Sequence, residues 1–494
     1  MKTTILKRSL EVLLLVVFVI MMSACGTGKK VLKPADTAKD LTILAVNDMH
    51  AAIDNFPKFA YVVDSLRQVY PNMLLVAAGD NQTGNPVNDQ YKPKGWPMIA
   101  LMNAVKFDLS CVGNHEFDTG QKGFVYLKEK ANFDFICANY NNVGYTDVNV
   151  EPYKIITLDN GLKVAFLGLV QVNSGGIPDT HPNNVKGVVF TNPLEVGPQY
   201  AYLKDQCDVF IVLSHLGYED DLRLTEVMEG KGLDLIIGGH TNTLIEEKQV
   251  HHGAMVTQVD WKLKYATLIQ VKAKAGKVVS EDMTLLDLQD RTKENVAIRA
   301  MVDEFNDSPE LQEVIASSPY ELTGKQPLGY LMTDALRELS GVDMVFQNPG
   351  GVRIKHLPKG DITVMDVYRM DPFGNEFIAL NLSGQEIIDF LKVAYVQDEN
   401  VPEFMSGVRV EYIVDANKAL KDVRAFSLDD QALDPDKIYK VGMNSYIVAA
   451  YKFKHKDPGT SFFKITADYV IEYLKKHQTI KNYQEEQRAV VVEK

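Results

Sequence analysis

The sequence predicts an α/β protein of two domains, and three observations lead there. Short apolar runs rich in Val, Ile and Leu alternate with helix-like polar segments, the pattern of strands buried on both faces. That pattern breaks near Asp290 and resumes at about Ser318. The chain has 494 residues, more than one hydrophobic core ordinarily organises. Hydrophobic residues make up 46% and charged residues 24%, which excludes a disordered or coiled-coil chain. With 65 acidic against 52 basic residues the net charge is −13, which argues against tracking a nucleic-acid backbone.

In chain order, the first element is an address. Lys2, Lys7 and Arg8 precede an apolar run, Val12 to Met22, and then Ser23-Ala24-Cys25. A basic start, a short apolar core and small residues are the pattern of a secretory signal over 1–24. The run is too short to span a bilayer, which needs about 20 residues. Cys25 directly after Ser-Ala resembles a bacterial lipobox, which implies cleavage before Cys25 and lipidation of its thiol. An ordinary signal peptide with an incidental Cys is the alternative. The expectation is an exported protein, lipid-anchored to the envelope membrane, with a polar linker over 25–40. Cys111, Cys137 and Cys207 are scattered through apolar runs and read as buried thiols, not zinc ligands.

The first domain is expected over 41–290. Its strand-like runs are LTILAV, NMLLVAA, FDLSCVG, KVAFLGLV, DVFIVLS and LDLIIGG. Five of its strand-like runs finish in polar residues: Asp48 and His50; Asp80; Asn114, His115 and Glu116; His215; and His240 with Asn242. In a parallel sheet the C-terminal strand ends share one edge, where ligands bind. Asp48 and His50 are two apart, so on extended backbone they point the same way. Two cations about 3.5–4 Å apart need a bridging carboxylate and several N or O donors, and Asp80 is the natural bridge. Imidazole with carboxylate and amide suits Zn, Mn or Fe. Such a pair would acidify a bound water near neutral pH and neutralise charge on a phosphoryl oxygen.

Residues 291–317 are expected to form an interdomain linker with a charged helix, Arg291 to Asn306, interrupted at Ser308-Pro309. The second domain, 318–494, reads as helix YLMTDALRELSG, strand DMVFQN, helix GQEIIDFLKVAY and strand GVRVEYIVD. Three segments stand out: Asn348-Pro349-Gly350-Gly351-Val352-Arg353, Asp371-Pro372-Phe373-Gly374-Asn375, and Ser406-Gly407 before GVRVEYIVD. Glycine lets a ligand approach the backbone, arginine offers a fork to an anion and phenylalanine a face to a base. A turn, a solvated charge and a core ring are the plain alternatives.

The order D-x-H, G-D, G-N-H-E, a lone H, then G-H-x-N resembles the calcineurin-like metallophosphoesterases. GNHEFDTG and the second domain narrow the resemblance to the 5′-nucleotidase / UDP-sugar hydrolase / 2′,3′-cyclic phosphodiesterase family. It implies an N-terminal α/β/β/α sandwich followed by a C-terminal α/β substrate-recognition domain. It places two divalent metals, one on Asp48, His50 and Asp80, the other on Asp80, Asn114, His215 and His240. Asn242 stands where the commonest metallophosphoesterase pattern carries His and this nucleotidase branch carries Asn or Gln, and whether it touches metal directly or through water is open. His115 would face the substrate phosphate, and Asp118 would hold its imidazole; capping of the next helix by Asp118 or Thr119 is the alternative. Asn348, Gly351, Arg353 and Phe373 would bind the substrate, a nucleotide or related small phosphate ester, with Asn348 and Arg353 hydrogen-bonding to it and Phe373 stacking on its base. The family's second stacking ring is missing, and Tyr451, Phe453, Phe462 and Phe463 are its possible replacements. A thiosulfohydrolase on the same scaffold and a catalytically silent nucleotide-binding lipoprotein are the competing readings.

Overall fold

The computed structural model describes residues 37–142, 148–173 and 175–493, so Cys25 and the leader lie outside the described residues. Two six-stranded sheets form the first domain. In one, strands Lys39–Val46, Leu74–Ala77, Leu109–Cys111 and Asp134–Ile136 run parallel, and the hairpin Tyr265–Lys274/Lys277–Asp287 closes the edge beside Lys39–Val46. In the other, Lys163–Val170, Val209–His215, Leu235–Ile237 and Ala254–Thr257 run parallel between two antiparallel edge strands.

The strand period of two builds the layers. Leu41, Ile43 and Ala45 face the other sheet, where Val164, Phe166, Ile211 and Leu213 meet them. Leu44 and Val46 point the opposite way, onto Phe56, Phe59 and Ile99 of the covering helices. Ala165, Leu167, Phe210 and Val212 likewise face Leu203, Leu224 and Met228. The result is the α/β/β/α sandwich that the resemblance implies, with every central strand buried on both faces. Cys111, Cys137 and Cys207 are free and buried, as read from the sequence.

The charged helix begins later than the sequence suggested, at Val296, and runs to Asn306. Asn295 caps it, its Oδ1 accepting from Ile298 N at 3.0 Å. Ile298 and Val302 pack into the core of the first domain, and Asn295 Nδ2 and Asn306 Nδ2 donate to Asp64 and Asp54. Strand Val314–Ser318 already pairs with Gly360–Thr363 of the second domain. That domain is built on a mixed five-stranded sheet, in the order Phe404–Ser406, Met344–Gln347, Ile438–Asn444, Glu376–Ser383 and Thr460–Ile465. Among the described residues no helix is long and apolar enough to cross a membrane.

Candidate active site

The polar strand ends converge as the sequence predicted, though by a different backbone. Asp48 and His50 do not sit on an extended strand. Both have positive φ, 48° and 44°, in a tight turn after Val46. Asp80, His240 and Asn242 also have positive φ. Non-glycine residues adopt this region at a cost of order 1–3 kcal/mol each, and such strain clusters at active sites. The turn is held by His50 N donating to Asp80 O at 2.9 Å and Ala51 N to Asn81 O at 2.8 Å. Two glycines permit the close approach of the loops. A Cβ on Gly113 would lie 2.3 Å from Asp80 Oδ1, and one on Gly239 2.6 Å from Ala78 O and 2.9 Å from His215 Nδ1.

Asp80 is central. Its Oδ1 accepts from His115 N at 2.8 Å. Its Oδ2 lies 3.1 Å from His215 Nε2, 3.8 Å from His50 Nε2 and 4.0 Å from His115 Nε2. Burial opposes its ionisation, but the flanking imidazoles, His215 foremost, hold it well below the usual carboxylate range. Backbone carbonyls set the histidine faces: His215 Nδ1 meets Ala78 O at 2.7 Å and His50 Nδ1 meets Thr83 O at 3.0 Å. Each ring therefore turns Nε2 to the cluster, as carbonyl-oriented metal-binding histidines do. On the far side His240 Nδ1 and Asn114 Oδ1 approach to 3.1 Å.

This donor set fits two divalent cations. The potential ligand atoms of His50, Asp80 and His115 lie within 4.8 Å of one another, as do those of Asp80, His215 and His240. Asp48 Oδ2 is committed to Asn47 Nδ2 at 2.8 Å and His240 N at 2.9 Å, leaving Oδ1 beside His50 and His215. Asp48 Oδ1 and Asn242 Oδ1 are buried with no hydrogen-bond partner among the described residues. Buried polar atoms are ordinarily satisfied, and a bound ion accounts for such orphans.

His115 Nδ1 lies 2.6 Å from Asp118 Oδ2. Burial opposes protonation of His115, but the Asp118 and Asp80 carboxylates outweigh it and raise the imidazole above its ordinary value. Asp118 is fixed in turn by Thr83 Oγ1 at 2.9 Å and Thr180 Oγ1 at 3.0 Å. The capping alternative falls: neither Asp118 nor Thr119 makes a side-chain cap to the helix Gly120–Lys130.

The second domain closes over this cluster. One cavity of about 320 Å³ is lined by His50, Asp80, Asn114, His115, Asp118, His240 and Asn242, and by Asn348, Gly351, Arg353 and Phe373. Phe373 stacks on His115, centroids 6.0 Å apart and planes at 22°, and the Arg353 guanidinium lies 5.5 Å from the Phe373 ring. Asn348 Oδ1 is held by Asn444 Nδ2 at 3.0 Å, and a Cβ on Gly351 would fall 2.0 Å from Gln347 Nε2.

None of the four proposed replacement rings lines this cavity. Tyr451 is buried and donates to Asp398. Phe453 packs on Phe390 and His455, and Phe462 on Phe377. Phe463 is 88% exposed. Tyr446 reaches the cavity instead. Glu116, placed at a strand end by the sequence but given no role there, has a carboxylate that accepts from Gly113 N at 2.6 Å, Asn81 N at 2.8 Å and Asp80 N at 3.0 Å. Its position as the last letter of G-N-H-E was the available signal. Removing it by Glu116→Ala strands three buried N–H donors at about 1–3 kcal/mol each. The expected loss is therefore at least about 3 kcal/mol of stability, read by denaturant unfolding.

Residues 41–243 match the family model for calcineurin-like phosphoesterases, and residues 311–453 that for the 5′-nucleotidase C-terminal domain. A trifunctional nucleotide phosphoesterase of Bacillus subtilis is 26% identical over 481 residues, covering 84% of this chain and 32% of that protein. A 5′-nucleotidase of Vibrio cholerae is 25% identical over 478 residues, covering 81% and 85%. The chain spans about a third of the length of the Bacillus relatives it matches, 32% and 38%. Among solved structures, a 5′-nucleotidase precursor from Thermus thermophilus superposes with a TM-score of 0.78 at 24% identity, over 92% of this chain and 99% of that one. A sulfate thiohydrolase from Thermus thermophilus gives 0.74 at 15% identity, over 92% and 96%. These two likenesses speak to the fold.

Proposed function

Since the chain belongs to the 5′-nucleotidase family of calcineurin-like phosphoesterases, which hydrolyse phosphoester bonds with two divalent metals, we propose that it removes phosphate from nucleotides outside the cytoplasm. One observation carries the reading. A single cavity joins the cation-binding donors of the first domain to the anion- and ring-binding side chains of the second. Its size, about 320 Å³, is at the lower end of small-molecule sites.

Asp48, His50, Asp80 and Asn242 would hold one cation, and Asp80, Asn114, His215 and His240 the other. When bound, the two ions supply Lewis acidity to the phosphoryl oxygens and acidify water. His115, fixed by Asp118, turns Nε2–H toward the cluster and donates to oxygen as negative charge develops there. Arg353 offers its fork to the substrate anion. Phe373 covers the His115 ring and limits its contact with water. The test is phosphate release by purified protein from nucleoside 5′-monophosphates, 2′,3′-cyclic nucleotides, UDP-sugars and thiosulfonate. Release from at least one nucleotide class supports the reading, and turnover of thiosulfonate alone overturns it.

The leader suggests where this happens. Cys25→Ser is expected to leave the protein unlipidated and shift it from the membrane to the soluble fraction. Mass spectrometry of the mature N-terminus decides, and an unmodified Cys25 would contradict the anchor.

A further inference from the structure

One wall of the cavity serves neither the metals nor His115, and its role rests on the nucleotide reading above. Gln397, Asp398 and Tyr446 form it. Tyr446 lies in the helix Ser445–Ala450, whose cap is Asn444. Asn444 Oδ1 accepts from Ile447 N at 2.9 Å while its Nδ2 donates to Asn348 Oδ1 at 3.0 Å, so the Tyr446 helix and the Asn348 loop are tied together. The Tyr446 ring meets Tyr451 edge-on, centroids 6.1 Å apart. The Tyr451 hydroxyl in turn donates to Asp398, 2.7 and 2.9 Å from its two oxygens. Asp398, just after the helix Gly384–Gln397, is thereby held half-buried at the cavity with lone pairs to spare. Behind it lies Glu403, fully buried, whose carboxyl meets that of Asp398; burial and this neighbouring carboxylate raise Glu403 well above the usual carboxylate range. An aromatic face and an oriented carboxylate on the same wall are the chemistry that recognises a ring carrying a hydrogen-bond donor.

We propose that Tyr446 and Asp398 determine the specificity of this chain: Tyr446 offers its face to the base, and Asp398 accepts a hydrogen bond from the nucleoside. The donor is a sugar hydroxyl or a base N–H. The two sources are separable by analogue. A hydrogen bond to a charged acceptor is worth about 10- to 100-fold in binding, and stacking of a base on an aromatic ring about 5- to 100-fold.

The experiment measures kcat and KM of the metal-loaded full chain for adenosine, 2′-deoxyadenosine, 3′-deoxyadenosine and purine riboside 5′-monophosphates, with aryl phosphate alongside. The wild type is expected to disfavour the analogue lacking the donor by about 10- to 100-fold, through KM. A deoxy analogue failing identifies the sugar, and purine riboside failing identifies the base. Asp398→Asn should bring that ratio close to one, and Tyr446→Leu should raise KM for all four nucleotides by about 5- to 100-fold. If Asp398→Asn does not fold, calorimetric binding of the four product nucleosides to the wild type must show the same ranking. Equal treatment of all analogues by the wild type, or an unchanged ratio in Asp398→Asn, overturns the assignment while leaving the nucleotidase reading intact. Turnover of aryl phosphate with no turnover of any nucleotide overturns both.

Discussion

Asp80→Asn is expected to reduce metal content below two ions per chain and to lower kcat/KM by about 10³-fold or more. Asp80 is the one side chain common to both groups of potential ligands, with Oδ2 facing His215, His50 and His115. Lewis-acid stabilisation is worth several kcal/mol, and each 1.36 kcal/mol is about tenfold in rate. Asparagine is the informative replacement because it tolerates the positive φ of residue 80 and keeps an acceptor for His115 N. The loop then folds with its hydrogen bond intact, and what is lost is the charge that bridges. Metal analysis and steady-state kinetics on one preparation read both effects. Full metal content with full turnover in Asp80→Asn would remove the shared-carboxylate account.

His115→Ala is expected to lower kcat by about 10²–10³-fold while metal content stays near that of the wild type. His115 falls within the His50–Asp80 group of potential ligands, and what sets it apart is the Asp118 carboxylate on its Nδ1, which with Asp80 raises the imidazole above its ordinary value and favours a proton on Nε2. Its Nδ1 is committed to Asp118 at 2.6 Å, and its Nε2 lies 4.0 Å from Asp80 Oδ2, farther than that of His215 or His50. Its ring also carries Phe373 from the second domain, so it faces the cavity that the two domains share. A variant that loses metal instead would make His115 a ligand.

The cluster was legible because parallel strands deliver their C-terminal residues to one edge, so Asp48, Asp80, Asn114, His215 and His240 declared themselves by following apolar runs. The layers were legible for the same reason, since Val, Ile and Leu fill both faces of the central strands. The local backbone was not. Asp48 and His50 converge through a strained turn clamped by Asp80 O and Asn81 O, and no spacing rule encodes a positive φ at a non-glycine residue. Glu116 was visible at a strand end but its role was not, because it serves three backbone N–H groups, contacts that exist only after the strands have assembled. Thr180, which braces Asp118 from 62 residues away, had no pattern at all. Tyr446 was missed because aromatic rings were sought in the segment after Ala450. There the inward-facing Tyr451 and Phe453 are consumed by the core around Phe390.

The most direct measurement is metal stoichiometry of the purified full chain, coupled to phosphate release from nucleoside 5′-monophosphates before and after chelation. The expected result is two divalent ions per chain, phosphate release that chelation abolishes, and recovery when zinc or manganese is returned. A chain that holds fewer than one ion and releases phosphate equally well in chelator would contradict the two-metal account.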